Sequence, residues 1–133
     1  MQDYIFVYGT LLKKINHPMH NFLKLYSSYI DEGYIYAKLY DLGSYPAAIK
    51  DETKRYKTFG EVYKIKPGFK NRLFKILDRY EGYIPSKPNA SLYIRAIADI
   101  YLPDKTIKGY TYFYNQPLPK SARLIKSGKY KEL

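Results

Sequence analysis

Glu81 closes the segment Leu77-Asp78-Arg79-Tyr80-Glu81-Gly82-Tyr83, at the end of a stretch with helical periodicity. A carboxylate at a helix C-terminus meets the negative end of the helix dipole. The flanking Tyr80 and Tyr83 would also strip it of water. Both effects favour the protonated acid and move its pKa toward neutrality. That is where a general base working near pH 7 is most useful. By position alone, however, Glu81 reads as a solvated surface glutamate. A second feature is Tyr8-Gly9-Thr10-Leu11, which follows a strand-length apolar run. A Gly-Thr break at a strand end could present backbone N–H groups to an anion. Taken by itself it reads as a plain turn.

Other chemistries are excluded by what is missing. The 133-residue sequence has no cysteine, so disulfides, thiolate zinc sites and cysteine nucleophiles are out. His17 and His20 share a helical spacing, but no carboxylate stands at ligand spacing from them, so they read as surface or packing residues and no metal is expected. There is no G-x-S-x-G elbow and no Walker loop.

The elements that must position these residues follow from periodicity. Tyr4 to Tyr8 is a continuous apolar run of strand length. Asn16-His17-Pro18 opens a short helix carrying Met19, Phe22, Leu23 and Leu25. Gly33 to Tyr40 and Phe59 to Ile65 read as strands, with a turn-rich loop from Asp41 to Pro46. Phe69, Leu73, Ile76, Leu77 and Tyr80 recur at spacings of three and four, giving an amphipathic helix stopped by Gly82. Leu92 to Leu102 alternates in and out, and Ile107 to Tyr114 is its hairpin partner. Tyr110, Tyr112 and Tyr114 share one face of that partner. The tail beyond Pro119 is poorly patterned, with Leu124 and Ile125 as candidates to dock on the body. Strand, helix, strands, helix and hairpin make an α+β order with a mixed or antiparallel sheet, without the regular βαβ alternation of a doubly wound fold.

Length fits one domain, residues 1–133. The formal charge is +11 with a pI near 9.6. The lysines are scattered along the whole chain, which fits a solvated basic surface; no nucleic-acid partner is expected. The same charge could steer an anionic small substrate. The eighteen tyrosines suit strand surfaces and core, and no RNP-like signature accompanies them. No apolar stretch approaches the roughly 20 residues of a membrane helix, and no signal-peptide pattern opens the chain. A soluble cytoplasmic protein, monomeric or weakly dimeric, is the expectation.

Five short segments in order resemble the gamma-glutamylcyclotransferase-like (AIG2-like) family: Val7-Tyr8-Gly9-Thr10-Leu11, Leu42-Gly43-Ser44-Tyr45-Pro46-Ala47, Gly60-Glu61-Val62-Tyr63, Leu77-Asp78-Arg79-Tyr80-Glu81-Gly82 and Tyr93-Ile94-Arg95. The resemblance implies a small mixed β-barrel with flanking helices. It implies cyclisation of a gamma-glutamyl amine or peptide to 5-oxoproline, without metal or cofactor. Glu81 would then be the acid/base group, and the Tyr8, Gly9, Thr10 and Leu11 backbone would hold the substrate's α-carboxylate. Tyr93 and Tyr114 would be walls of the pocket. Asn16-His17 and His20-Asn21 are similar to members that act on gamma-glutamylamines. The family often ends in a Ser-Gly-Asp-Trp-like segment, whereas Ser127-Gly128 is followed here by Lys129-Tyr130. A rival of a different class is a non-catalytic binding or regulatory module with the same fold.

Overall fold

The computed structural model describes residues 3–131. Seven strands and two helices follow in the order β1 (Tyr4–Val7), α1 (His20–Tyr26), β2 (Ser27–Asp41), β3 (Pro46–Lys50), β4 (Lys57–Ile65), α2 (Lys70–Glu81), β5 (Tyr93–Tyr101), β6 (Thr106–Tyr114) and β7 (Arg123–Leu124). Strands β2, β4, β1, β6 and β5 close on themselves through a β2–β5 pairing at Tyr34 and Tyr101. The barrel is mixed because β1 runs antiparallel to β4 but parallel to β6. The α+β barrel with flanking helices expected from the sequence is therefore the fold observed. Among the described residues no helix is long and apolar enough to cross a membrane.

The uninterrupted apolar run of β1 has a direct cause. Its alternate side chains point to two different cores. Ile5 and Val7 join Leu23 of α1 and Leu73 and Leu77 of α2 on the outside of the barrel. Phe6 and the adjoining Tyr8 enter the barrel interior with Ile35, Leu39, Val62 and Ile100. A strand buried on both faces has no position for a polar residue.

Helix α2 packs through Leu73, Phe74 and Leu77, all buried. Each such side chain stabilises the fold by about 1.5–3 kcal/mol relative to exposure. The helix ends at Gly82, which takes a left-handed conformation (φ 71°) and donates its N–H back to Arg79 and Asp78 carbonyls. Tyr83 N–H also reaches the Asp78 carbonyl, at 2.8 Å. This is the glycine stop read from the sequence, and it fixes where Glu81 leaves the helix.

Other boundaries differ from the sequence reading. Strand β2 begins at Ser27, well before Gly33, because the largely exposed segment Ser28 to Glu32 is carried by a ladder to β4, with a bulge between Tyr29 and Asp31. Pro46 to Lys50 is a strand on β2 and not the end of a loop. Its proline stands at the first position, where no ladder donor is needed. On α1 only Leu23 is buried; Phe22 and Leu25 are exposed. The tail does dock: Arg123 and Leu124 pair with β2, and Ile125 N–H donates to the Leu39 carbonyl. Tyr130 is buried in the barrel interior. Gly128 (φ 72°) makes that approach possible, since a Cβ there would overlap the Lys57 carbonyl.

The richness in tyrosine and lysine has a shared surface use. Lys13 Nζ lies 4.3 Å from the Tyr29 ring centre and Lys57 Nζ 4.5 Å from that of Tyr34. Lysine heads stay in water while their charges rest on aromatic faces.

Candidate active site

Three pieces of chain meet beside the barrel: the loop after β1, the end of α2 and the start of β5. They enclose a cavity of about 200 Å³. Tyr8, Gly9, Thr10 and Leu11 form one part of its lining, Tyr80 and Glu81 another, and Leu92 and Tyr93 a third. Tyr45 and Pro46 from the β2–β3 connection, Tyr112 of β6, and Phe6 and Val7 complete it. The sequence-named residues Tyr8, Gly9, Thr10, Leu11, Glu81 and Tyr93 thus share one cavity. Tyr114 is not part of the lining; its ring packs edge-on against Tyr93 with centroids 5.4 Å apart.

The loop is held tightly. Gly9 is required by proximity: a Cβ there would stand 2.6 Å from Pro46 Cγ. Leu12 N–H closes the turn on the Gly9 carbonyl at 3.0 Å. Among the described residues the N–H groups of Gly9, Thr10 and Leu11 donate to no turn, loop or side-chain acceptor. Successive free N–H groups of this kind favour an anion.

The phenols of the wall are committed elsewhere. Tyr8 Oη donates to the Tyr112 carbonyl at 2.6 Å, Tyr93 Oη to the Pro46 carbonyl at 2.5 Å, and Tyr112 Oη to Asp78 Oδ1 at 2.6 Å. Burial first, and the nearby Glu81 charge as a lesser cause, raise the pKa values of Tyr8 and Tyr93. These rings shape the cavity and keep their hydrogens. Thr10 Oγ1 and Tyr80 Oη are 2.7 Å apart and form a separate pair.

Glu81 is the ionisable carboxyl of the lining. Its pKa is pushed up to about 7, first by burial and then by the negative charge of Asp78. The dipole argument made from sequence is not the leading cause; loss of water is. Asp78 is itself held in place. Arg95 Nη1 donates to its Oδ2 at 2.5 Å and Tyr112 to its other oxygen. With side chains 22% and 13% exposed, the Arg95–Asp78 pair is half-sheltered, and the Arg95 guanidinium also lies 4.1 Å from the Phe74 ring centre.

This support leaves no local signal in the sequence. Asp78 and Arg95 were each visible, an acid on a helix and an arginine in an apolar alternating strand, but nothing local pairs positions 78 and 95. Tyr112 was placed on the right face without its partner. Among the described residues no cluster of three or more His, Asp or Glu side chains is arranged to hold a metal ion.

A carboxyl with its pKa pushed up to about 7 thus shares one cavity with a backbone loop whose N–H groups have no acceptor among the described residues, on a small mixed barrel. The chain belongs to the gamma-glutamyl cyclotransferase, AIG2-like family, whose sequence pattern matches residues 5–132. Solved structures share the fold. YkqA from Bacillus subtilis superposes with a TM-score of 0.71 at 22% identity, covering 98% of this chain, which spans 40% of YkqA's length. An AIG2-like protein from Mus musculus gives 0.64 at 21% identity, over 90% of this chain and 81% of that one. A gamma-glutamyl cyclotransferase gives 0.62 at 14% identity, over 93% and 72%. No curated protein matches the sequence.

Proposed function

We propose that this chain is a gamma-glutamyl cyclotransferase that converts a gamma-glutamyl amine or peptide to 5-oxoproline and releases the amine. The observation that carries this reading is Glu81, a carboxyl pushed up to about pKa 7 in a cavity that is also lined by Gly9, Thr10 and Leu11, whose N–H groups have no acceptor among the described residues. In the reaction, the substrate's α-amine attacks its own γ-carbonyl carbon. A C–N bond forms to close the ring, and the γ-amide C–N bond breaks. Glu81 takes the proton from the attacking amine and returns it to the departing nitrogen. A pKa near the working pH suits a group that must both accept and give.

Nucleophile and electrophile belong to one molecule, so the protein's main task is to fold the substrate into a near-attack shape. Such positioning contributes up to about 7–11 kcal/mol. The loop N–H groups would hold the α-carboxylate, and the rings of Tyr8, Tyr93 and Tyr112 would exclude water. A cavity of about 200 Å³ is smaller than the ~300–1,000 Å³ of common ligand sites. It suits a glutamyl head group, with the substituent on the leaving nitrogen outside.

The test is incubation with gamma-glutamyl dipeptides, gamma-glutamyl-ε-lysine and other gamma-glutamylamines, with 5-oxoproline followed by mass spectrometry. Turnover by the wild type and its loss in Glu81→Gln are the expected results. Equal turnover by both proteins would remove Glu81 from the chemistry. Binding without turnover across the panel would make the chain a non-catalytic member of its family.

A further inference from the structure

We propose that His17 is a positioning residue that sets the direction of the hydroxyl hydrogens in the Thr10–Tyr80 pair and so makes Thr10 a hydrogen-bond donor toward the cavity. The two hydroxyl oxygens are 2.7 Å apart, and either could donate. One hydrogen lies between them and the other is free. If Tyr80 donates, Thr10 keeps a hydrogen for a ligand. If Thr10 donates, it offers that ligand only lone pairs, which an anion would repel.

The backbone breaks this symmetry through His17. Its Nδ1 accepts the Met19 N–H at 3.1 Å. An N–H only donates, so Nδ1 is bare and the neutral ring carries its hydrogen on Nε2. Nε2 is 3.5 Å from Tyr80 Oη, a long contact, with the two rings 5.2 Å apart between centroids. The Tyr80 oxygen therefore accepts from His17 and sends its own hydrogen to Thr10. The phenol retains that hydrogen: burial, with Glu81 adding to it against the Thr10 hydrogen bond, raises the Tyr80 pKa above its ordinary 10. His20 provides an internal contrast. Its Nδ1 is 2.8 Å from the Leu11 carbonyl. A carbonyl only accepts, so the neutral ring of His20 carries its hydrogen on Nδ1. Two histidines three residues apart thus hold opposite tautomers, each dictated by its backbone partner.

The ligand in this inference rests on the preceding reading, in which the loop holds an α-carboxylate; the tautomers do not. The first measurement is ¹⁵N-imidazole NMR at pH about 8.5, where an ordinary imidazole is neutral, with signals assigned by a His20→Gln variant. His17 in the Nε2–H form and His20 in the Nδ1–H form are expected. His17 in the Nδ1–H form would overturn the proposal, whether or not the protein turns over substrate. The second measurement is kinetic. Thr10→Val, which deletes a hydrogen bond to a charged group, raises KM about 10- to 100-fold. His17→Phe raises KM up to about 10-fold with kcat within about twofold, because the pair is free to reverse. In a Thr10→Val or a Tyr80→Phe background His17→Phe costs nothing further. Additive effects, or a loss confined to kcat, would show that His17 acts by another route. Absence of 5-oxoproline from the wild type would count against the cyclotransferase reading alone, leaving the NMR result to decide the relay.

Discussion

Asp78 stands three residues before Glu81 on α2, and its negative charge raises the Glu81 pKa. Arg95 and Tyr112 hold Asp78 in that position from the neighbouring hairpin. The hairpin thereby reaches the site carboxyl indirectly, through the charge it pins beside it.

Replacing Asp78 with Asn removes that charge and leaves the Arg95 cation unbalanced nearby. Both changes favour ionised Glu81. With Glu81 as the base, the acidic limb of the kcat/KM profile should move to lower pH by about half to one unit, since burial remains the larger cause. A pH–rate series on wild type and Asp78→Asn measures it; a limb that stays in place would show that Asp78 does not tune Glu81.

Glu81→Gln should lower kcat by ~10²- to 10⁴-fold, the usual contribution of a positioned acid/base group. The same variant should be more stable than wild type in alkali. The folded-state pKa of Glu81 is raised from 4.5 to about 7. The stability it contributes is therefore complete below about pH 4.5 and lost as pH rises through 7. Gln stays neutral throughout. Urea unfolding should find the two proteins equal near pH 4 and the variant ahead at pH 8–9, by on the order of 3 kcal/mol.

Gly9→Ala tests the fit of the loop against β3. The added methyl would stand 2.6 Å from Pro46 Cγ, and a proline ring has little room to yield. The loop and Pro46 must separate, at a cost of about 1–3 kcal/mol. A displacement near 1 Å at a positioned site costs about 10²-fold in rate. Thermal melts and kcat/KM on the variant check both; unchanged activity would mean that the cavity tolerates movement of this wall.

Tyr130→Ala removes a ring buried in the barrel interior. Truncating a large buried aromatic costs about 3–5 kcal/mol. Tyr130 does not line the candidate site, so kcat of the folded fraction at low temperature should remain within about twofold. Denaturant midpoints and assays on the same samples separate the two effects.

Some of this architecture is legible from sequence, and the reason is locality. Helix α2 shows in its stripe, its end shows in Gly82, and β5 and β6 show in alternation across a short turn. The Tyr8–Leu11 segment and Glu81 carry recognisable local patterns, and the structure places them around one cavity. What escapes depends on distant partners. Ser28 to Glu32 form a strand because β4 supplies a ladder, although their own sequence shows no in-and-out alternation. Pro46 to Lys50 and the β7 pair lean on β2 in the same way. Tyr114 touches the cavity lining only through its edge-on contact with Tyr93, which its place in the strand pattern does not reveal. Arg95 meets Asp78, and His17 meets Tyr80, across separate elements, so no local pattern pairs them.

The parallel pairing of β1 with β6 joins Ile5 to Tyr110, and Tyr8 reaches the Tyr112 carbonyl across 104 positions. A chain emerging from the ribosome therefore makes the apolar strand first and its second partner about a hundred residues later. At ~5–20 residues per second that interval is roughly 5–20 s. Throughout it, Tyr4 to Tyr8 is an uncovered strand edge with no polar residue to discourage other chains. The cavity is thus a late product of synthesis, and the strand that leads into its loop is the one most in need of protection while it waits.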